Sequence, residues 1–171
     1  VNKGWLVPFR YYGIYDCTVN YDNISYVHGK YDEEELEKEL MIPQRGDLVY
    51  HNYSKYNCKR ALAFCSTKKH AEYMAELFQN RGIKAAAVYS GTDGEYNLDR
   101  RKALEELKDG RLQIIFSVDM FNEGLDVKNI DMVLFLRPTQ SPTVFLQQLG
   151  RGLRTAEGKS YLTVLDFIGN Y

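Results

Sequence analysis

Arg151 and Arg154 stand three residues apart in the stretch Gln147-Gln148-Leu149-Gly150-Arg151-Gly152-Leu153-Arg154. A guanidinium is planar, stays protonated and matches phosphate oxygens with its donor fork, so the stretch could grip a polyphosphate. The pair would share one side if a helical turn persisted through it. Two arginines at a helix end also serve simply to solvate the surface and complement the dipole, and alone the stretch favours that. A second stretch, Ser117-Val118-Asp119-Met120-Phe121-Asn122-Glu123-Gly124-Leu125-Asp126-Val127, follows an apolar run. Its glycine makes a tight loop, and Asp126 could accept hydrogen bonds from a ribose, or else Asp119 and Asp126 merely bond loop backbone. A third, Phe64-Cys65-Ser66-Thr67-Lys68-Lys69, offers hydroxyls and backbone N–H groups where a helix begins. Such a junction seats phosphate, although Ser and Thr are equally the commonest plain caps.

The elements that position these stretches can be read from periodicity. The apolar run at residues 61–65 has the length and texture of a buried strand, and residues 85–89, 112–116, 132–136 and 161–167 read as further strands. Ser66 is expected to cap a helix with Ala71, Met74, Ala75 and Phe78 on one stripe, stopped by Gly82. A second helix, over residues 101–110, turns Ala103, Leu104 and Leu107 inward, and Ser141-Pro142 starts a third. Strands alternating with helices predict an α/β fold with a mostly parallel sheet covered on both faces. Right-handed crossovers then place the loops beginning at Ser66, Ser90, Ser117 and Arg137 along one sheet edge. Residues 1–57 differ: they are aromatic and irregular until Asp32, which is expected to cap a short acidic helix from Glu33, and Pro43 sits near the start of another.

Composition excludes several classes. With 171 residues, 44% hydrophobic and 26% charged, the chain can build a core and is not disordered. A net charge of -1 excludes a basic arm that holds nucleic acid by bulk charge. That charge is uneven: residues 1–57 carry 6 basic and 9 acidic side chains, residues 58–171 carry 16 and 14. Three cysteines without a Cys-x-x-Cys pair and three dispersed histidines predict no metal site and no disulfide framework. Cys65, in an apolar run, reads as a core thiol. The odd, unpaired cysteine count makes a reducing cytoplasm the expected place, and with no signal peptide or membrane-spanning run read in these residues no membrane partner is expected. The absence of a Gly-x-Gly-x-x-Gly turn argues against a doubly wound small-molecule enzyme. Nine of the 14 tyrosines fall in the first 57 residues, where packing in a linker and against neighbouring domains accounts for them better than base stacking.

In their order along the chain, the three stretches resemble helicase motifs IV (64–69), V (117–127) and VI (147–154, of the pattern Gln-x-x-Gly-Arg-x-x-Arg). Residues 58–168 resemble the second RecA-like domain of superfamily 2 helicases, and Ser90-Gly91-Thr92 with the 101–110 helix fits the segment between motifs IV and V. The likeness points to the DEAD/DEAH-type branch around type III restriction enzymes and DNA helicases, whose link into this domain also resembles Leu6-Val7-Pro8-Phe9-Arg10-Tyr11-Tyr12-Gly13. Val118 replaces a threonine common in the superfamily. Gln147-Gln148 and Glu123 depart from DEAD-box RNA helicases, where His-Arg and Arg stand.

The resemblance implies a RecA-like three-layer domain at residues 58–171, preceded at 1–57 by an aromatic-rich linker and short helices. It implies ATP as cofactor, with Gly124, Asp126 and Gly150 bordering the nucleotide, Arg151 and Arg154 as arginine fingers, and Gln147 coupling motif VI to the phosphates. Ser66, Thr67, Gly91, Thr92 and Ser117 would border one nucleic-acid strand through local contacts that need little net charge. The 171 residues contain no Gly-x-x-x-x-Gly-Lys-Ser/Thr loop and no Asp-Glu-x-Asp/His box after an apolar strand. Hydrolysis needs a phosphate cradle and a magnesium ligand as well as a finger. The expectation is therefore the second motor domain of a DNA helicase or translocase. Its first RecA-like domain, in the same parent chain, would hold ATP and Mg, and the present piece would be inactive alone. The alternatives are a non-catalytic RecA-like interaction module and the motor part of a restriction endonuclease subunit.

Overall fold

The structure, a computed structural model, describes residues 9–91, 94–118, 127–128, 130–138, 153–154 and 161–168. Six strands form one sheet: β1 (Phe9–Tyr15), β4 (Ala61–Phe64), β5 (Ala85–Val88), β6 (Ile114–Ser117), β8 (Met132–Phe135) and β10 (Leu162–Ile168), in the order β1-β10-β8-β4-β6-β5. Every pairing in it is parallel, with Phe64 opposite both Ser117 and Phe135, and Val88 opposite Ser117. The carboxyl ends of β4, β5, β6 and β8 therefore finish level.

Alternation along each strand divides the core in two. Leu62, Phe64, Val88, Ile115, Val133, Phe135 and Val164 face α4 (Arg100–Lys108), which contributes Ala103 and Leu107. Ala61, Ala63, Cys65, Ala87, Ile114, Phe116 and Leu134 face α3 (Lys68–Asn80) and α2 (Pro43–Ser54), which contribute Ala71, Met74, Phe78, Val49 and Tyr53. Runs that are apolar at every position are thus strands buried on both sides. The small alanines of β4 and β5 let α3 lie close, and Phe78 fills the space with its ring edge-on to Phe116 at 5.0 Å. Cys65 is a buried core thiol as expected, and burial raises its pKa.

Local signals explain most helix ends. Asp32 accepts the Glu35 N–H at 2.9 Å and opens α1 (Glu33–Leu40), and Pro43 occupies the first turn of α2. The cap of α3 is Thr67, not Ser66: its hydroxyl accepts the His70 N–H at 3.1 Å. The shift has a cause in Ser66 itself, whose N–H and hydroxyl both turn to the His70 ring.

The amino-terminal part does more than link. β1 extends the sheet beside β10, with Tyr12 and Ile14 against the α2/α3 core and Tyr11 and Tyr15 exposed. Beyond it, Val19, Tyr21, Ile24, Leu36 and Leu40 form a separate small core under Tyr31, which carries α1 and a hairpin of β2 (Tyr26–Val27) and β3 (Lys30–Tyr31). Several early tyrosines are thereby placed: Tyr12 meets Tyr56, Tyr21 meets Tyr31, and Tyr50 and Tyr53 meet Phe78. Asp16, just past β1, is tied to Arg45 of α2 by a wholly buried ion pair of 2.6 Å. Arg45 also donates to the Leu136 carbonyl at 2.8 Å, joining the amino-terminal segment to the end of β8.

Among the described residues no helix is long and apolar enough to cross a membrane, and no group of three or more His, Cys, Asp or Glu is placed to hold a metal.

Candidate functional site

The level carboxyl ends of β4, β6 and β5 bring three of the sequence-selected loops side by side. Ser66 and Thr67 follow β4, Gly91 follows β5 by a short turn, and Ser117 ends β6. Ser117 is almost wholly buried and its carbonyl accepts the Cys65 N–H at 2.8 Å, so the β4 and β6 loops start from one rigid base. Gly91 has φ +105°, a conformation side chains rarely adopt, so the turn itself requires glycine there.

Between β5 and α4 the edge opens into a cavity of about 270 Å³ lined by Val88, Tyr89, Ser90, Gly91, Leu98, Asp99, Arg100 and Ser117. Residues 96–98 run alongside β5, and Leu98 walls the cavity. Leu98 N–H donates to the Ala87 carbonyl at 2.9 Å, and Asn97 accepts the Tyr89 N–H at 3.2 Å while donating to the Gly91 carbonyl at 3.0 Å. Gly94 lies so close that an added Cβ would stand 1.9 Å from the Tyr89 hydroxyl and 2.3 Å from Glu72. Glu72 in turn accepts the Tyr96 N–H at 3.1 Å, strapping the wall to α3. Arg100 opens α4 at this rim, behind the capping carboxylate of Asp99. Lys68 sits with its ammonium 5.7 Å from the Tyr89 ring centre. Hydroxyls, cations and the starts of two helices share this edge, an arrangement suited to phosphodiester oxygens.

The corner at Ser66 and Thr67 is more committed than the sequence implied. His70, one turn into α3, is wholly buried, and its Nδ1 accepts the Ser66 N–H at 3.1 Å and lies 3.3 Å from the Ser66 hydroxyl. Burial, helped by the Arg45 charge, pushes the His70 pKa well below the usual value, so the ring is neutral. With Nδ1 accepting, the hydrogen belongs on Nε2, which has no partner. The Thr67 hydroxyl is used twice, accepting from His70 N–H and donating to the Glu37 carboxylate of α1. Neither Ser66 nor Thr67 lines the cavity beside β5.

Thr92, Gly124, Asp126, Gln147, Gly150 and Arg151 lie outside the described residues. Of the two downstream stretches, the structure gives two short strands, β7 (Val127–Lys128) and β9 (Leu153–Arg154). They pair in parallel, Val127 with Leu153 and Lys128 with Arg154. Residues 153–154 are therefore extended rather than helical, and the helical spacing that would set Arg151 and Arg154 on one side does not reach Arg154. The ladder instead puts the Arg154 backbone beside the residues that directly follow Asp126.

Arg100, Asp99 and Tyr89 were not selected from the sequence, nor were His70 and Glu37 as parts of this corner, while Lys68 lay in the selected stretch without a role of its own. Arg100 carried a usable signal, a cation in the first turn of the helix after Ser90-Gly91. Glu37 carried none, because its partner is 30 residues away.

A parallel six-stranded sheet between helices, with its loops gathered at the carboxyl edge, is the RecA-like architecture of helicase carboxyl-terminal domains. The chain belongs to the family of the helicase conserved C-terminal domain, whose model matches residues 44–156. It is 33% identical over 119 residues to a putative ATP-dependent helicase, IRC3, of Saccharomyces cerevisiae, covering 70% of this chain and 17% of that one. It is 28% identical over 135 residues to the UvrABC system protein B of Natronomonas pharaonis, covering 76% and 19% respectively. The T4 UvsW crystal structure superposes with a TM-score of 0.66 over 98% of this chain and 33% of that one, at 20% identity. The chain thus spans less than a fifth of the length of the first two of these proteins.

Proposed function

We propose that this chain is the second motor domain of an ATP-dependent DNA helicase or translocase. In this reading it holds one nucleic-acid strand along the β4-β6-β5 edge and supplies Arg151 and Arg154 to ATP bound by a preceding RecA-like domain of the parent. The observation that carries it is the convergence on one sheet edge of the Ser66–Thr67, Gly91 and Ser117 loops with Arg100 and Lys68. The β7–β9 register supports the arginine role, since it sets the Arg154 backbone next to the segment leaving Asp126.

In this arrangement the chain binds and positions. Arg100 and Lys68 neutralise strand phosphates, Gly91 and Ser117 give the strand a close approach, and Asp126 and Gly124 border the ribose. ATP, with Mg held by the other domain, supplies the free energy. Closure brings the arginines to the γ-phosphate and shifts the two strand sites relative to one another.

The test is strand affinity. Arg100→Ala should weaken binding of short oligo-dT by about five- to tenfold and lower the salt slope by about one. Arg111→Ala, at an exposed cation beyond the far end of α4, should leave both unchanged. Equal affinity for wild type and Arg100→Ala would remove the strand from this edge. Parallel titration with oligo-U decides whether the preference is for DNA.

A further inference from the structure

We infer that α1 is an acidic latch on the strand-binding corner: the Glu37 carboxylate holds the Thr67 hydroxyl, so strand engagement at Thr67 and docking of α1 compete. The inference rests on the nucleic-acid reading above and adds to it a regulator carried by the same chain.

The Thr67 hydroxyl has one hydrogen, and it is given to Glu37. Its oxygen already accepts the His70 N–H at 3.1 Å. A phosphate oxygen brings no hydrogen, so it can engage this hydroxyl only by taking the hydrogen that Glu37 now holds. Ser66 does not offer a substitute, because its N–H and hydroxyl face Nδ1 of His70. A carboxylate is the internal counterpart of the ligand it excludes, an anion that only accepts.

Charge reinforces the competition. α1 reads Glu33-Glu34-Glu35-Leu36-Glu37-Lys38-Glu39-Leu40, five glutamates against one lysine, and it lies against α3 at the turn where Lys68 and Lys69 are exposed. A phosphate at those lysines also lies within the field of α1. The helix can also leave as a unit. Leu36 and Leu40 are buried with Val19, Tyr21 and Ile24, in a cluster apart from the two sheet cores. Glu35 ties α1 to its own hairpin through the Ser25 N–H at 2.6 Å and the Ser25 hydroxyl at 3.2 Å. Releasing Glu37 from Thr67 therefore uncovers neither face of the sheet.

The experiment is fluorescence anisotropy of labelled oligo-dT and oligo-U with the 171-residue chain and four variants, each checked for native circular dichroism. Glu37→Ala should tighten binding by about three- to tenfold, the worth of one charge-assisted hydrogen bond discounted for partial exposure. Glu33→Gln, which removes one charge from the exposed side of the same helix, should change affinity by less than about twofold at physiological salt. In a Thr67→Val background, Glu37→Ala should give no gain, since the contested hydroxyl is gone. Unchanged or weaker binding by Glu37→Ala would overturn the latch, as would an equal gain from Glu33→Gln or a gain that persists without the Thr67 hydroxyl. If neither wild type nor any variant binds a strand, the nucleic-acid reading itself falls.

Discussion

Arg45 gives the most quantitative test of how the amino-terminal segment is held. Its side chain and that of Asp16 are both fully buried, with Nε 2.6 Å from Oδ2 and Nη2 donating to the Leu136 carbonyl at 2.8 Å. Replacing Arg45 by Met keeps the volume but strands a buried carboxylate whose remaining partners are the Thr18 N–H and hydroxyl. Breaking a buried pair from one side costs about 3–5 kcal/mol, because the surviving charge is left without its counterion. Against a total stability of about 5–15 kcal/mol, that is a large share. With a urea slope of about 2 kcal/mol/M, the midpoint should fall by about 2 M. Asp16→Asn combined with Arg45→Met removes both charges while leaving an acceptor for the Thr18 N–H and hydroxyl, and should recover much of the loss, since the uncompensated buried charge is gone. Urea titration followed by circular dichroism reads all four members of the cycle. An Arg45→Met midpoint within about 0.5 M of wild type would refute the argument, as would a double variant no more stable than the single one.

Three further outcomes are expected. His70 is buried neutral with its pKa depressed, so the unfolded chain binds a proton first as pH falls below about 6.5. Stability should decline from there downward by up to about 1.4 kcal/mol per pH unit, and His70→Gln should flatten that decline in urea melts at pH 7.5, 6.5 and 5.5. Asp166, whose pKa burial raises, acts with the opposite sign as pH climbs past the ordinary carboxylate value, so the comparison is made between variants at each pH. The 171-residue chain, assayed for phosphate release with single-stranded DNA, should show no stimulated ATP turnover; robust turnover would mean that it contains its own phosphate cradle.

Much of this architecture is legible in the sequence for simple reasons. A strand buried on both faces is apolar at nearly every position, and β4, β5 and β8 were recognisable on that basis, with β6 and β10 legible despite Ser117, Thr163 and Asp166. Asp32 and Pro43 mark helix starts because a cap and a fixed φ act locally. β1 was harder: Tyr11, Gly13 and Tyr15 lie on the exposed face of an edge strand, Arg10 is exposed at its start, and the alternation that half-buries Tyr12 and Ile14 is lost among tyrosines. Arg45 was invisible as a core residue because its charge is matched by Asp16, 29 positions earlier. The corner at Thr67 shows the same limit. Its cap role is local, whereas its bond to Glu37 depends on how α1 is carried across α3. Ser66, Thr67, Gly91 and Ser117 stand out as candidates by their place after strands, and Lys68 lies in the same stretch as Thr67, while Arg100 joins them only through the geometry of the edge.

The central claim concerns Arg154. In the full-length parent, steady-state ATP hydrolysis and nucleotide binding should be measured for Arg154→Ala beside wild type, with nucleic acid present. The account predicts turnover lowered by about 10³-fold or more with ATP affinity retained, the signature of an arginine finger. Turnover close to wild type would contradict it.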